Sequence, residues 1–200
     1  TSSPIKELLG ARMVNSYFLG AELTPSVLMT YDRLKNDYPK SDYLLTLENN
    51  YQSVLNLESG IVAPEISGIT PEGDSLFLSD LTGKVVYVDV WATWCGPCIK
   101  SFPDMIELQQ QFSDNEVVFL FVSVDRDQDK WRSVLTQKQL PGIHMNVTAQ
   151  DFWKDFKVAG VPRYILIDQN GILVDANAPS PGIDGLKDEL LALVQQINQP

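Results

Sequence analysis

Two strand-length apolar runs, at 85–91 and 117–124, separated by a helical pattern, narrow the fold more than anything else in this chain. Runs that are apolar at nearly every position, rather than at alternate ones, belong to strands covered on both faces, and the helices between them supply the cover. The expected class is therefore α/β, a central sheet flanked by helices. Short runs at 66–69 and 75–78, separated by Pro71-Glu72-Gly73-Asp74, predict a β-hairpin ahead of that sheet. Helical patterns fill 97–112 and 129–139, and a short strand and a short helix are expected at 144–147 and 149–156. Gln169-Asn170-Gly171 predicts a second hairpin between 163–168 and 172–176, and an amphipathic helix closes the chain over 183–197.

Before Gly60 the pattern is helical only. Ile5, Leu8, Leu9, Met13 and Tyr17 recur at helical spacing, and Thr24-Pro25 reads as an N-cap followed by a first-turn proline. Ser41 caps a third helix whose stripe is Leu44, Leu45, Leu47, Tyr51, Val54 and Leu55. Such stripes are expected to be packing faces. The organisation predicted is a helical N-terminal region over 1–58 and an α/β domain over 59–200, with no internal repeat.

Charge excludes two classes of partner. The chain has 15 Lys+Arg against 26 Asp+Glu, a net charge of -11, so the attraction that drives binding to nucleic acid or anionic lipid is missing. No apolar run approaches the roughly 18 residues that span a bilayer, and no membrane insertion is expected. The start Thr1-Ser2-Ser3-Pro4 has neither an initiator Met nor a signal-peptide pattern, which leads to the expectation of a processed or truncated piece of a longer precursor.

The chain has 2 cysteines, Cys95 and Cys98. A structural zinc site needs four ligands, and only His144 lies elsewhere, so the zinc reading fails. As a covalent staple so short a loop is weak, worth only ~2 kcal/mol by loop entropy. The pair instead sits where a buried strand turns into a helix. Unpaired backbone N–H groups at a helix start favour a thiolate, and cysteine pairs placed in this way reach a pKa of about 7 rather than about 8.5. Cys95 is thus the expected nucleophile, and Cys98, one turn on, the resolving thiol. Gly96 and Pro97 suit the turn and add no bulk over the sulfurs. Asp89 is the third expected catalytic residue. A lone carboxyl inside an apolar strand has its pKa raised toward neutrality, and it could exchange a proton with Cys98. The bland alternative is a solvated Asp89 at a polar edge. No cofactor is called for beyond the redox-active disulfide itself.

The stretch from Val88 through Asp89, Trp91 and Trp94-Cys95-Gly96-Pro97-Cys98 closely resembles thioredoxin. Gly160-Val161-Pro162 before an apolar strand resembles the cis-proline segment of that family. Ala63-Pro64-Glu65, Leu78-Ser79-Asp80-Leu81-Thr82-Gly83-Lys84, Ser123-Val124-Asp125 and the additional strand and helix between Asp125 and Gly160 narrow the resemblance. From about Val62 to Gln199 the chain resembles the TlpA/ResA-like thiol-disulfide oxidoreductases, related to the peroxiredoxin superfamily. It departs from many ResA-like members in having Ser101 three residues past the second cysteine, where they carry Glu, and Asp89 in the core strand, where they do not. The resemblance implies a thioredoxin-like central mixed sheet and a cis Val161-Pro162 bond. It also implies substrate binding by Trp94, Gly96, Pro97, Val161 and Pro162, with Val161 offering backbone hydrogen bonds. Disulfide-containing protein substrates, an upstream thiol electron donor, and a periplasmic or other extracytoplasmic location are implied in the same way.

Two other readings stay open on the sequence alone. A peroxiredoxin-type peroxidase normally places its cysteine three residues after Thr or Ser, whereas Ala92 precedes Cys95 by three. A binding module with an inert cysteine pair has little reason to keep Asp89, both cysteines and Pro162 together. His144 is expected to be structural, and Trp131 and Trp153 to lie in the core.

Overall fold

The computed structural model describes residues 4–19, 24–55, 57, 59–112, 116–147, 150–157 and 160–197. Three helices come first: α1 (Pro4–Leu19), α2 (Pro25–Asp37) and α3 (Tyr43–Leu55). Thr24 caps α2 as its sequence predicts, with its Oγ accepting from Val27 N and Pro25 in the first turn. The apolar cluster of these helices is Ala11, Val14, Phe18, Val27, Tyr31, Leu34, Leu47 and Val54, with Tyr51 packed against it. Phe18, Tyr31 and Tyr51 form its aromatic centre, with ring centroids 5.2 to 5.5 Å apart.

The stripe expected to be the packing face of α1 is turned outward. Ile5, Leu9, Met13 and Tyr17 are exposed, and the buried face is Ala11, Val14 and Phe18. The cause is close approach at Gly10, where an added Cβ would lie 3.0 Å from Leu34. The small Gly10-Ala11 face lets α2 come near, and the bulkier stripe is left to solvent. Leu45 of the predicted α3 stripe is exposed for the same reason of phase, since Leu47 and Val54 take the inward positions.

A seven-stranded mixed sheet follows, in the order β2-β1-β5-β4-β3-β6-β7. Its strands are β1 (Ser67–Ile69), β2 (Ser75–Phe77), β3 (Val85–Trp91), β4 (Val117–Ser123), β5 (Ile143–Asn146), β6 (Arg163–Ile167) and β7 (Leu173–Asp175). β3, β4 and β5 are parallel, and β6 and β7 are added antiparallel on one side. The predicted hairpin β1–β2 joins the other side through β5. Every residue of β3, β4 and β6 is buried, as covered strands require. The flanking helices are α4 (Gly96–Gln109), α5 (Gln128–Lys138), α6 (Gln150–Asp155) and α7 (Leu186–Ile197).

Helix ends account for the remaining differences. α4 stops at Gln109 rather than at 112, and Phe112 packs in the following turn. α5 ends where Gln139 takes φ 49°. α7 begins at Leu186, not at 183, because Gly182 and Gly185 hold positive φ and Ile183 is exposed between them. The predicted helix at 149–156 is α6, with residue 149 outside the described residues. Trp131 is fully buried, whereas Trp153 is only partly so.

The segment leading into the sheet fastens to its β7 edge. Gly60 N donates to Leu173 O, Leu173 N to Ile61 O, and Ala63 N to Gly171 O, with Val62 bridged to Ile172. Among the described residues no helix is long and apolar enough to cross a membrane.

Candidate active site

β3 ends at Trp91, and the chain turns through Ala92 and Thr93 into α4, with Cys95 N donating to Ala92 O at 3.0 Å. Cys95 is the N-cap of α4. Its Sγ accepts from Cys98 N at 3.2 Å, and its carbonyl accepts from Ile99 N. A sulfur thus occupies the place of a capping oxygen, against the positive end of the helix. Pro97 costs the first turn nothing, since its N–H would have no helical partner. The two sulfurs are joined as a disulfide with Cα atoms 5.3 Å apart. Cys98 is wholly enclosed and Cys95 is 4% exposed, while Trp94 beside it is 63% exposed. Gly96 and Pro97 are also exposed, and nothing lies within 4 Å of a Cβ built on Gly96.

Asp89 points toward α4. Tyr87, Asp89 and Trp91 share one face of β3, and Trp91 packs edge-on against Phe102 of α4 at 5.2 Å. Asp89 is 1% exposed, and neither carboxylate oxygen has a hydrogen-bond partner. The solvated-edge alternative is thereby overturned. Burial pushes its pKa up to about 8, with no opposing charge to hold it down. Tyr164 is its antiparallel partner on β6 and therefore lies on the same face. Burial, and then the charge of Asp89, push the Tyr164 hydroxyl up to about 12.

The bond between Val161 and Pro162 is cis. Arg163 pairs with Val90, so this turn lies at the end of β3 from which the cysteine loop departs. Pro162 is exposed and Val161 half-buried there. The fold therefore gathers Asp89, Trp94 through Cys98, Val161 and Pro162 at one end of the sheet. His144 is not among them. Its ring stacks on Phe121 at 4.9 Å and its Nε2 meets Leu140 O at 3.0 Å, which is a structural placement.

Two arrangements at this end were not singled out from sequence. The buried Asp125 accepts from Thr93 N (2.8 Å), Thr93 Oγ (2.7 Å) and Ser123 Oγ (2.9 Å), and Asn146 Nδ2 donates to Asp125 O. The loop before Cys95 is thus tied to the ends of β4 and β5. A carboxylate closing the apolar run at 117–124 was the available signal. The second is a link across α4: Tyr164 Oη donates to Ser101 Oγ at 3.0 Å, and Ser101 Oγ donates to Cys98 O at 2.8 Å. Nothing in the sequence pairs residues so far apart.

Comparison with known proteins agrees with this geometry. The chain is 29% identical over 133 residues to the thioredoxin-like protein YneN of Bacillus subtilis, covering 64% of this chain and 78% of that one. It is 36% identical over 122 residues to the thiol-disulfide oxidoreductase ResA of the same organism, covering 60% and 66%. The crystal structure of the thioredoxin domain of a thiol-disulfide oxidoreductase from Bacteroides vulgatus superposes with a TM-score of 0.59 at 28% identity, covering 72% of this chain and 99% of that one. Residues 58–189 match the Redoxin family, a span that takes in all seven strands, both cysteines and the cis-proline, and the chain belongs to that family.

Proposed function

We propose that this thiol-disulfide oxidoreductase reduces protein disulfides through the Cys95–Cys98 pair. The observation that carries the reading is a disulfide at the N-cap of α4 in the same layer as the buried, partnerless Asp89. In the reduced enzyme the Cys95 thiolate attacks one sulfur of the substrate disulfide, forming a mixed disulfide and expelling the other substrate sulfur as thiolate. Cys98 gives its proton to Asp89 in its ionised form, a fraction that grows as pH rises toward about 8, and attacks Cys95 Sγ. The second substrate thiol departs, and two electrons have passed from the dithiol to the substrate. A thiol electron donor then reduces Cys95–Cys98 again.

Trp94, Gly96 and Pro97 form the surface around the sulfurs, and their exposure supports that role. Val161 and Pro162 bind an extended substrate segment on the neighbouring turn. The site needs no cofactor beyond the disulfide. The protein works outside the cytoplasm, a reading supported by the TlpA/ResA resemblance. Residues 1–58 form a helical unit separate from 59–200. In support, α1 to α3 gather their own apolar cluster, Ala11 through Val54; Leu57, at the very end of that stretch, packs with the sheet instead.

The functional test is a trap. Cys98→Ser keeps the nucleophile and abolishes release, because attack from one turn away is intramolecular and no solution thiol replaces it easily. In an extract from the source cell, adducts that collapse on reduction should accumulate and vanish in the Cys95→Ser, Cys98→Ser double variant. An absence of Cys95-dependent adducts sinks the protein-disulfide reading. Direction is tested separately by equilibration with glutathione. A potential below about -200 mV is expected, near thioredoxin at about -270 mV, and a value near the -120 mV of DsbA would reverse the direction proposed.

A further inference from the structure

The helix that carries Cys98 has a weak first turn. Pro103 lies inside α4 and has no N–H, so the carbonyl of Ile99, four residues before it, lacks its helical donor. The carbonyl next to it, that of Cys98, receives an additional bond from the side, from the Ser101 hydroxyl at 2.8 Å. Ser101 is itself held by Tyr164 at 3.0 Å, and Tyr164 stands two residues beyond the cis-proline on β6. The Tyr164 ring is fixed in turn, stacked on Tyr87 at 5.8 Å with the planes 1° apart. Tyr87 Oη is anchored by donating to Pro179 O at 2.6 Å. This chain of bonds starts on rigid sheet and ends on the backbone of the resolving cysteine.

We infer that Tyr164 is a positioning residue for the release step, acting through Ser101 to hold the backbone of Cys98 in place for its attack on the mixed disulfide. The inference rests on the functional reading above. It assigns work to two hydroxyls that neither touch substrate nor exchange the proton. Cys95 takes part in neither bond, and its sulfur is capped by Cys98 N, one peptide unit before the carbonyl that Ser101 holds. Capture and release should therefore respond differently, whereas a bond that merely stabilised the fold would leave both rates alone.

The experiment uses the full chain and a peptide disulfide carrying a fluorophore and quencher, in single turnover, with acid-quenched samples read by mass for the mixed disulfide. Tyr164→Phe keeps the ring stack and removes the hydroxyl. Ser101→Ala breaks the same link from the other side without touching that stack. Each is expected to slow decay of the mixed disulfide about three- to tenfold, the scale of one lost neutral hydrogen bond, with capture by Cys95 unchanged. The double variant should be no slower than either single, since both remove one link, and Ser101→Thr should restore release. Wild-type release in both singles, equal slowing of capture and release, or a double variant slowed by the product of the two effects overturns the inference while the functional reading stands. A wild-type chain that captures no peptide overturns the functional reading, and this inference falls with it.

Discussion

Asp89→Asn should stabilise the protein while crippling it, and the gain should grow with pH. The folded state holds the Asp89 proton up to about pH 8, whereas an unfolded Asp releases it near 3.9. Below about pH 4 both states are protonated and burial of the carboxyl carries no charge penalty. Between pH 4 and 8 the unfolded chain binds fewer protons than the folded one, so stability falls as pH rises, by about 1.4 kcal/mol per unit. Above pH 8 the loss attributable to this residue levels off at about 6 kcal/mol. Asn never ionises, and the variant should therefore gain close to that amount at pH 8 to 9 and almost nothing at pH 4. Chemical denaturation across this range measures it, and parallel stability curves for the two proteins would refute the buried, partnerless carboxyl. Disulfide reduction should meanwhile slow by up to roughly a hundredfold near pH 7 to 8, at the low end of what general acid–base catalysis contributes, and less at lower pH, where Asp89 is already protonated and has no proton to accept. Toward alkaline pH the Cys98 thiol ionises unaided and the deficit should shrink. A wild-type pH–rate profile in the variant would move proton transfer to another group.

The second large effect has the opposite sign. Asp125→Ala should cost about 4 kcal/mol, because it strands three buried donors, Thr93 N, Thr93 Oγ and Ser123 Oγ, each worth about 1 to 3 kcal/mol when left unpaired. The same substitution frees the loop that delivers Trp94 and Cys95, so exchange should fall along with stability. Asp125→Asn keeps an acceptor oxygen and should cost less. A loss below about 1 kcal/mol for the Ala variant would mean that the loop is held by its own turn and the start of α4.

Sequence alone revealed the elements that depend on local pattern. The buried strands, both hairpins, the Thr24 cap and the cysteine turn each follow from a handful of neighbouring residues, and all are present. Asp89 was legible because one carboxyl in an apolar strand has few explanations. The face presented by α1 was not legible. Two apolar stripes compete there, and the choice rests on how near α2 can approach at Gly10. Likewise the links from Asp125 to Thr93 and from Tyr164 to Ser101 join residues 32 and 63 apart, and only the register of β3 against its neighbours brings them together. Ordinary Ser, Thr and Tyr side chains carry no mark of such pairing before the sheet is assembled.

The segment at 60–63 has a bearing on the life of the protein in a crowded compartment. Open sheets are vulnerable at their margins, where unpaired N–H and C=O groups can recruit a strand from another molecule. Here the margin at β7 is already hydrogen-bonded to Gly60, Ile61 and Ala63 of the same chain, and β2 at the far margin is only three residues long. A foreign strand finds its places taken on one side and too short a template on the other. The sheet therefore offers little seed for co-aggregation at either margin, whatever chain approaches the turn at Pro162.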